Sequence, residues 1–246
     1  MAFADHFSAV AARYARYRPH YPQALVDALV SRCARHELAW DAGCGNGQLS
    51  VELAASFEHV IATDPSRAQL DSAEPHARVE YRCVTAEQSG LPDACADLAV
   101  AAQAAHWFDW PRYVVEVGRI ARPGALVALV AYNTCTIEGA AGEIVLRYYH
   151  DLDAYWPPER RIIESGYREL VWPWPAVDAP ALDMIARWTR DELTGYLATW
   201  SATQRAVAAN GPSRYEAVCA ELTREWPDAE QRREIRWPLA LQFARR

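Results

Sequence analysis

Asp41, Gly43, Gly45 and Gly47 sit at alternate positions just after a short apolar run ending at Trp40, and Leu49, Val51, Leu53, Ala54 and Phe57 then take up helical spacing. A strand that turns sharply into a helix leaves unpaired N–H groups at the helix start, and these favour a negatively charged ligand group. Glycines there let backbone, and not side chains, meet the ligand. Asp64 follows about twenty residues on, the separation at which an acid lies beside a ribose. It closes the apolar run Val60-Ile61-Ala62, with Pro65 and Ser66 next. A carboxylate can accept from both hydroxyls of a ribose; the same residues also suit a plain strand end with Ser66 capping the next helix. Ala86 and Glu87 follow a third expected strand, where Glu87 either takes an adenine amino group or is solvated. A fourth run, Ala96 to Ala102, ends in Gln103-Ala104-Ala105-His106-Trp107-Phe108-Asp109-Trp110.

The elements that must hold these residues alternate. Strands are expected at about 37–41, from His59 to Asp64, at about 78–84, at 96–102 and at 126–132, with helices after the glycine turn, over about 66–75 and from Pro111. Five such alternations predict a parallel, doubly wound α/β sheet, whose ligand sits at the carboxyl ends of its strands. The glycine turn, Asp64, Glu87 and the Gln103–Trp107 segment all fall at such ends. Beyond Tyr132 the rhythm changes. A helix is expected over 137–156, stopped by Pro157-Pro158, and an irregular edge strand over 170–177. Thr189 with Glu192 and Ser213 with Glu216 each read as a capping box. The closing stretch 234–244 reads as a strand, with a bulge expected at Pro238.

The chain of 246 residues suits one large domain: an N-terminal arm and helix (1–35), a ligand-binding core (36–132), a helical lid (133–210) and a final helix and strand (211–246). Its net charge is −7 and all 25 basic residues are Arg. The acidic balance argues against nucleic-acid or acidic-membrane binding, and the lack of lysine excludes Schiff-base chemistry. The six cysteines form no C-x-x-C pair and no zinc spacing, so no metal is expected. With no signal peptide and no membrane-length apolar run, a cytoplasmic protein is expected.

The order of Asp41 to Gly47, Thr63 to Ser66, Ala86-Glu87, Gln103 to Asp109 and Arg122-Pro123-Gly124 resembles the class I S-adenosylmethionine (SAM) dependent methyltransferases of the type 11 group. The nearer resemblance is to proteins like trans-aconitate methyltransferase. It is carried by the segments Tyr17 to Pro22, Ala104 to Asp109 and Tyr155 to Arg160. The resemblance implies a Rossmann-like seven-stranded sheet of order 3-2-1-4-5-7-6 with the last strand antiparallel. It also implies a methyl transfer (enzyme class EC 2.1.1) that uses SAM and releases S-adenosylhomocysteine. By the same resemblance Gly43, Gly45 and Gly47 lie along the methionine of SAM and Asp41 faces its amino group. Asp64 and Pro65 meet the ribose, Ala86 and Glu87 the adenine, and Gln103 the methionine end, while Tyr14 and Arg18 close over the carboxylate. His106 then falls near the methyl, as a general base, as a donor that orients the acceptor, or as a group that fixes its loop. The expected partner is a small-molecule acceptor, with an organic acid carboxylate as one candidate; Arg147, Arg160 and Arg161 are candidates to bind it. Two alternatives compete. A nicotinamide-dependent oxidoreductase needs G-x-G-x-x-G, and Gln48 stands where its last glycine belongs. A non-catalytic SAM-binding protein would keep the donor site alone.

Overall fold

The computed structural model describes residue 17 and residues 19–246. Five parallel strands build the core: β1 (Leu38–Ala42), β2 (His59–Thr63), β3 (Val79–Arg82), β4 (Ala96–Ala102) and β5 (Ala121–Tyr132). They lie in the order β3-β2-β1-β4-β5, every pair parallel. The central strands β1 and β4 are buried nearly throughout, which is why their sequences are continuous apolar runs and not alternating ones. Helices α1 (Gln23–Val30), α2 (Gln48–Leu53), α3 (Arg67–Asp71) and α4 (Trp110–Ile120) accompany them. Two starts follow from side-chain caps: Ser66 accepts from the Gln69 N–H, and Asp109 from that of Arg112. At the amino ends of the strands, buried Asp97 accepts from the backbone of Glu37 and Leu38 and pairs with Arg122. The carboxyl ends are left to the site.

After β5 come a two-residue strand β6 (Thr136–Ile137), helices α5 (Ala140–Asp151) and α6 (Arg160–Glu164), and strands β7 (Ala176–Val177) and β8 (Asp183–Trp188). Then α7 (Arg190–Ala198), α8 (Ser201–Asn210) and α9 (Ser213–Glu225) lead to the long β9 (Arg233–Arg245). Strand β9 is antiparallel to β5, the placement expected of the last strand. Residues Ile235 and Arg236 pair with both β6 and β8, and Phe243 and Ala244 with both β5 and β7. Strands β5 and β6 therefore line one edge of β9, and β7 and β8 the other. Where the expected order has a sixth strand beyond the last, β8 and the short β7 stand.

Pro238 does not bulge the β8 ladder, which runs without a shift from Asp183↔Pro238 to Trp188↔Arg233. The Leu239 N–H donates toward Leu182, so the nitrogen of Pro238 faces the opposite edge. There the pairing with β5 ends at Leu239 and that with β6 resumes at Arg236, so no bond is lost where proline lacks a donor. The capping box at Thr189 forms. The one expected at Ser213 does not: Pro212 takes the N-cap place in a helical conformation, and no side chain caps α9.

Candidate active site

The glycine turn is anchored first. The N–H groups of Gly43 and Cys44 both donate to the Thr63 carbonyl, at 2.7 and 3.0 Å, which locks the end of β1 to the end of β2. All three glycines have positive φ, from 57° to 81°. Their surroundings differ. A Cβ on Gly43 would lie 2.5 Å from the Ala104 Cβ, so this glycine lets the loop after β4 close on the turn. A Cβ on Gly47 would run into the Tyr81 ring. At Gly45 nothing among the described residues lies within 4 Å of such a Cβ.

Two carboxylates flank the turn. Asp41 is 1% exposed. Its Oδ2 accepts from the Ser50 hydroxyl at 2.6 Å, while its Oδ1 is buried without a partner among the described residues. Burial pushes this carboxyl up to about 7, against the Ser50 bond and with a smaller push from Asp64. A buried, half-satisfied carboxylate is a site for a cation or a donor. Asp64 is oriented by backbone: its oxygens accept from the N–H groups of Gly45 and Ser66, at 2.9 and 2.8 Å. Ionised oxygens keep further lone pairs for hydroxyl donors. Pro65 is half-buried beside it, and its carbonyl faces the Cys83 thiol. Ala86 is buried. Glu87 is half-buried and not merely solvated, since its Oε1 accepts from the Asp109 N–H at 2.8 Å.

Beyond β4 the loop is strained and tied. Gln103 has φ 55°, unusual for a residue with a side chain. Its side-chain amide bonds both the N–H and the carbonyl of Tyr132, at 3.0 and 2.9 Å, acting as one more rung between β4 and β5. His106 lies on the 3₁₀ turn Ala105–Trp107, 8% exposed, with Nδ1 3.1 Å from the Tyr167 hydroxyl. Burial, with the nearby positive charge of Arg160, lowers its pKa to about 3, so the imidazole is neutral.

Gln103 and His106 open onto a cavity that Thr134, Trp156, Arg160 and Trp200 help to line. Arg160 is fixed there from behind. Its Nε donates to the Tyr149 hydroxyl at 3.1 Å, its guanidinium lies 5.0 Å from the Trp156 ring centroid, and Glu164 stands 3.9 Å away. The Tyr149 hydroxyl in turn donates to Glu164. Of the other candidate arginines, exposed Arg147 pairs with Glu221, and Arg161 does not line the cavity. Tyr14 and Arg18 lie outside the described residues. Between them, the Tyr17 ring packs on α7 at Gly195, where a Cβ would come within 2.6 Å of it. No motif marks Tyr167, which lies 61 residues from His106 with no spacing to link them. Among the described residues no group of three His, Cys, Asp or Glu side chains could hold a metal, and no helix is long and apolar enough to cross a membrane.

Comparison with known proteins agrees with this architecture. A family described as "Methyltransferase domain" matches residues 40–129, from the end of β1 to within β5. A protein of Dictyostelium discoideum with a provisional methyltransferase name is 32% identical over 204 residues, 81% of this chain and 78% of that one. An uncharacterized methyltransferase of Mycobacterium tuberculosis is 36% identical over 129 residues, about half of each chain (52% and 52%). A solved structure from Anaeromyxobacter dehalogenans, provisionally named a type II methyltransferase, is 42% identical with a TM-score of 0.88, over 93% of this chain and 98% of that one. With the glycine turn, the acid after β2 and the antiparallel last strand in one sheet, these matches show that the chain belongs to the class I SAM-dependent methyltransferases.

Proposed function

We propose that the protein transfers the methyl group of SAM to a carboxylate oxygen of a small organic acid. The observation that carries the acid is Arg160, a cation held at the cavity wall by Tyr149, Trp156 and Glu164 on its Nε side and ring face, with no acceptor on its Nη groups among the described residues. A planar guanidinium so fixed suits a bidentate carboxylate.

The turn fits the donor. The unpartnered Asp41 Oδ1 suits an ammonium group, and the bare side of Gly45 leaves room for backbone contact. In this reading Gly43 and Gly47 shape the turn, Asp64 with Pro65 takes the ribose, and Ala86 and Glu87 take the adenine. Gln103 supports the methionine end, and Tyr14 and Arg18 close over its carboxylate. When bound, SAM supplies an electrophilic methyl on a sulfonium, which passes to the attacking oxygen as the carbon–sulfur bond breaks and leaves S-adenosylhomocysteine. Arg160 binds and aligns the acid, and alignment is worth up to about 7–11 kcal/mol of such a barrier. A carboxylate needs no base, so neutral His106 suits an orienting role. Trp156 and Trp200, on the helical region 133–210, act as part of a lid that keeps water from the site. The ester product has lost the charge that Arg160 holds, which favours its release. The unpaired state of all six cysteines suits a reducing, cytoplasmic setting.

The test is methyl transfer from radiolabelled SAM to a panel of carboxylic acids, phenols and amines. The reading expects label in an acid, released as methanol by mild base, the mark of a methyl ester. Label stable to mild base, or found only in phenols or amines, overturns it. Arg160→Ala is expected to raise KM for the acid at least tenfold with SAM affinity kept, since a buried ionic hydrogen bond is worth about 1.5–3 kcal/mol.

A further inference from the structure

We infer that Tyr167 is a positioning residue: its buried hydroxyl donates to His106 Nδ1 and so fixes the imidazole as the Nε2–H tautomer, which offers the methyl acceptor a hydrogen-bond donor and not a base. This rests on the cavity beside His106 being the acceptor site.

Tyr167 is 0% exposed, so its hydroxyl proton must find an acceptor inside the protein. The acceptor within reach is His106 Nδ1 at 3.1 Å. Were Nδ1 itself protonated, the buried tyrosine proton would have no acceptor among the described residues, a cost of about 1–3 kcal/mol. The hydroxyl therefore donates and Nδ1 accepts. A neutral imidazole carries one proton, so that proton is on Nε2.

The backbone points the same way. Tyr167 has φ 63° and follows Gly166 at φ 65°. A bulky residue in the left-handed region is strained, and strain of this kind persists where the surroundings demand one geometry. Here it sets the Tyr167 ring under the His106 ring, 6.2 Å between centroids at 23°. Nε2, by contrast, has no partner among the described residues and is not sealed from the cavity that His106 lines. Arg160 and the Nε2–H group then present two donors to one cavity, and both are matched by an oxygen that already carries negative charge.

The test is a nitrogen-resolved NMR measurement on the full chain labelled with ¹⁵N-histidine. The His106 signals are assigned by their loss in His106→Gln. An unprotonated Nδ1 with a protonated Nε2 is expected in the wild type, and conversion to a mixture of tautomers in Tyr167→Phe. The reverse wild-type tautomer overturns the proposal, and it does so even if the Tyr167→Phe chain fails to fold. Kinetics give the second arm. Tyr167→Phe should lower kcat/KM for the acceptor about tenfold, the scale of one oriented hydrogen bond, with SAM affinity by calorimetry unchanged. His106→Gln, which can place an N–H donor near Nε2, should retain more activity than His106→Ala. Equal loss in those two variants, or wild-type acceptor kinetics in Tyr167→Phe, also overturns it. The tautomer is read without any methyl transfer, so its outcome is separate from whether the acceptor is an acid.

Discussion

Asp41 carries an unfavourable interaction that a bound cation would remove. Its ordinary pKa of 3.8 is raised to about 7 in the fold, chiefly by burial. Between about pH 4 and 7 the native protein holds a proton that the unfolded chain has released, so this group makes stability fall as pH rises through that window. The scale is about 1.4 kcal/mol per pKa unit. Asp41→Asn is therefore expected to flatten the pH dependence and to raise the unfolding midpoint of the ligand-free protein at pH 8 relative to pH 5. It is also expected to weaken SAM binding at least tenfold; thermal unfolding at both pH values and calorimetry read the two effects. A variant that is less stable at pH 8 yet binds normally would show that Asp41 serves the turn alone. The glycines separate in the same way. Gly45→Ala meets no neighbour and should cost only the left-handed penalty of about 1–2 kcal/mol, yet lose SAM affinity. Gly43→Ala collides with Ala104 as well and should unfold at a clearly lower temperature than Gly45→Ala.

Elements hold these residues through a few specific ties, of which Gln103 is the clearest. By bonding both backbone groups of Tyr132 it extends the β4–β5 pairing one step past the last regular rung, three residues before His106. Gln103→Leu leaves two backbone groups without partners and should cost about 2–4 kcal/mol. Faster hydrogen exchange at the Tyr132 amide would localise the loss; unchanged exchange there would refute the clamp. This tie also marks how far sequence could reach. The strands β1, β2, β4 and β5 were legible because a buried parallel strand must be a continuous apolar run, and the turn because only glycine tolerates three positive φ values in five residues. Strand β8 was not. Its burial alternates weakly over six residues, and its partner lies in β9 about fifty residues on. Thr189 and Ser213 show the limit of local pattern, since both precede a glutamate by three residues. Thr189 is extended and can reach back to the helix, whereas Pro212, with φ already helical, starts α9 one residue early and puts Ser213 inside it. His106 was found by its place at a strand end, but its partner Tyr167 is set by a left-handed turn that no spacing announced.

Across the whole molecule, β9 decides whether the sheet and the helical region behave as one body. Its first half contributes Ile235 and Trp237 to the aromatic core formed with α5, α7, α8 and α9. Its second half contributes Phe243 to the core beneath the sheet, with Leu25, Leu49 and Leu98. Trp237 is the rivet: fully buried, it packs edge-on to Tyr196 and donates its indole N–H to the Tyr196 hydroxyl at 3.1 Å. One strand shared by two cores couples their unfolding, because losing either half strips partners from the other. A single transition is therefore expected, with tryptophan fluorescence and far-ultraviolet circular dichroism coinciding. Trp237→Ala should cost about 3–5 kcal/mol and move both signals together, although the side chain lies on the helical side alone. Two separated transitions, or a variant that shifts fluorescence and leaves the sheet signal in place, would mean that the helical region unfolds independently. Coupling of this kind also bears on function. If the two cores unfold as one, opening of the cavity to SAM and acceptor must come from local movement of the segments around Trp156 and Trp200, since rotation of a separate domain would have to break β9.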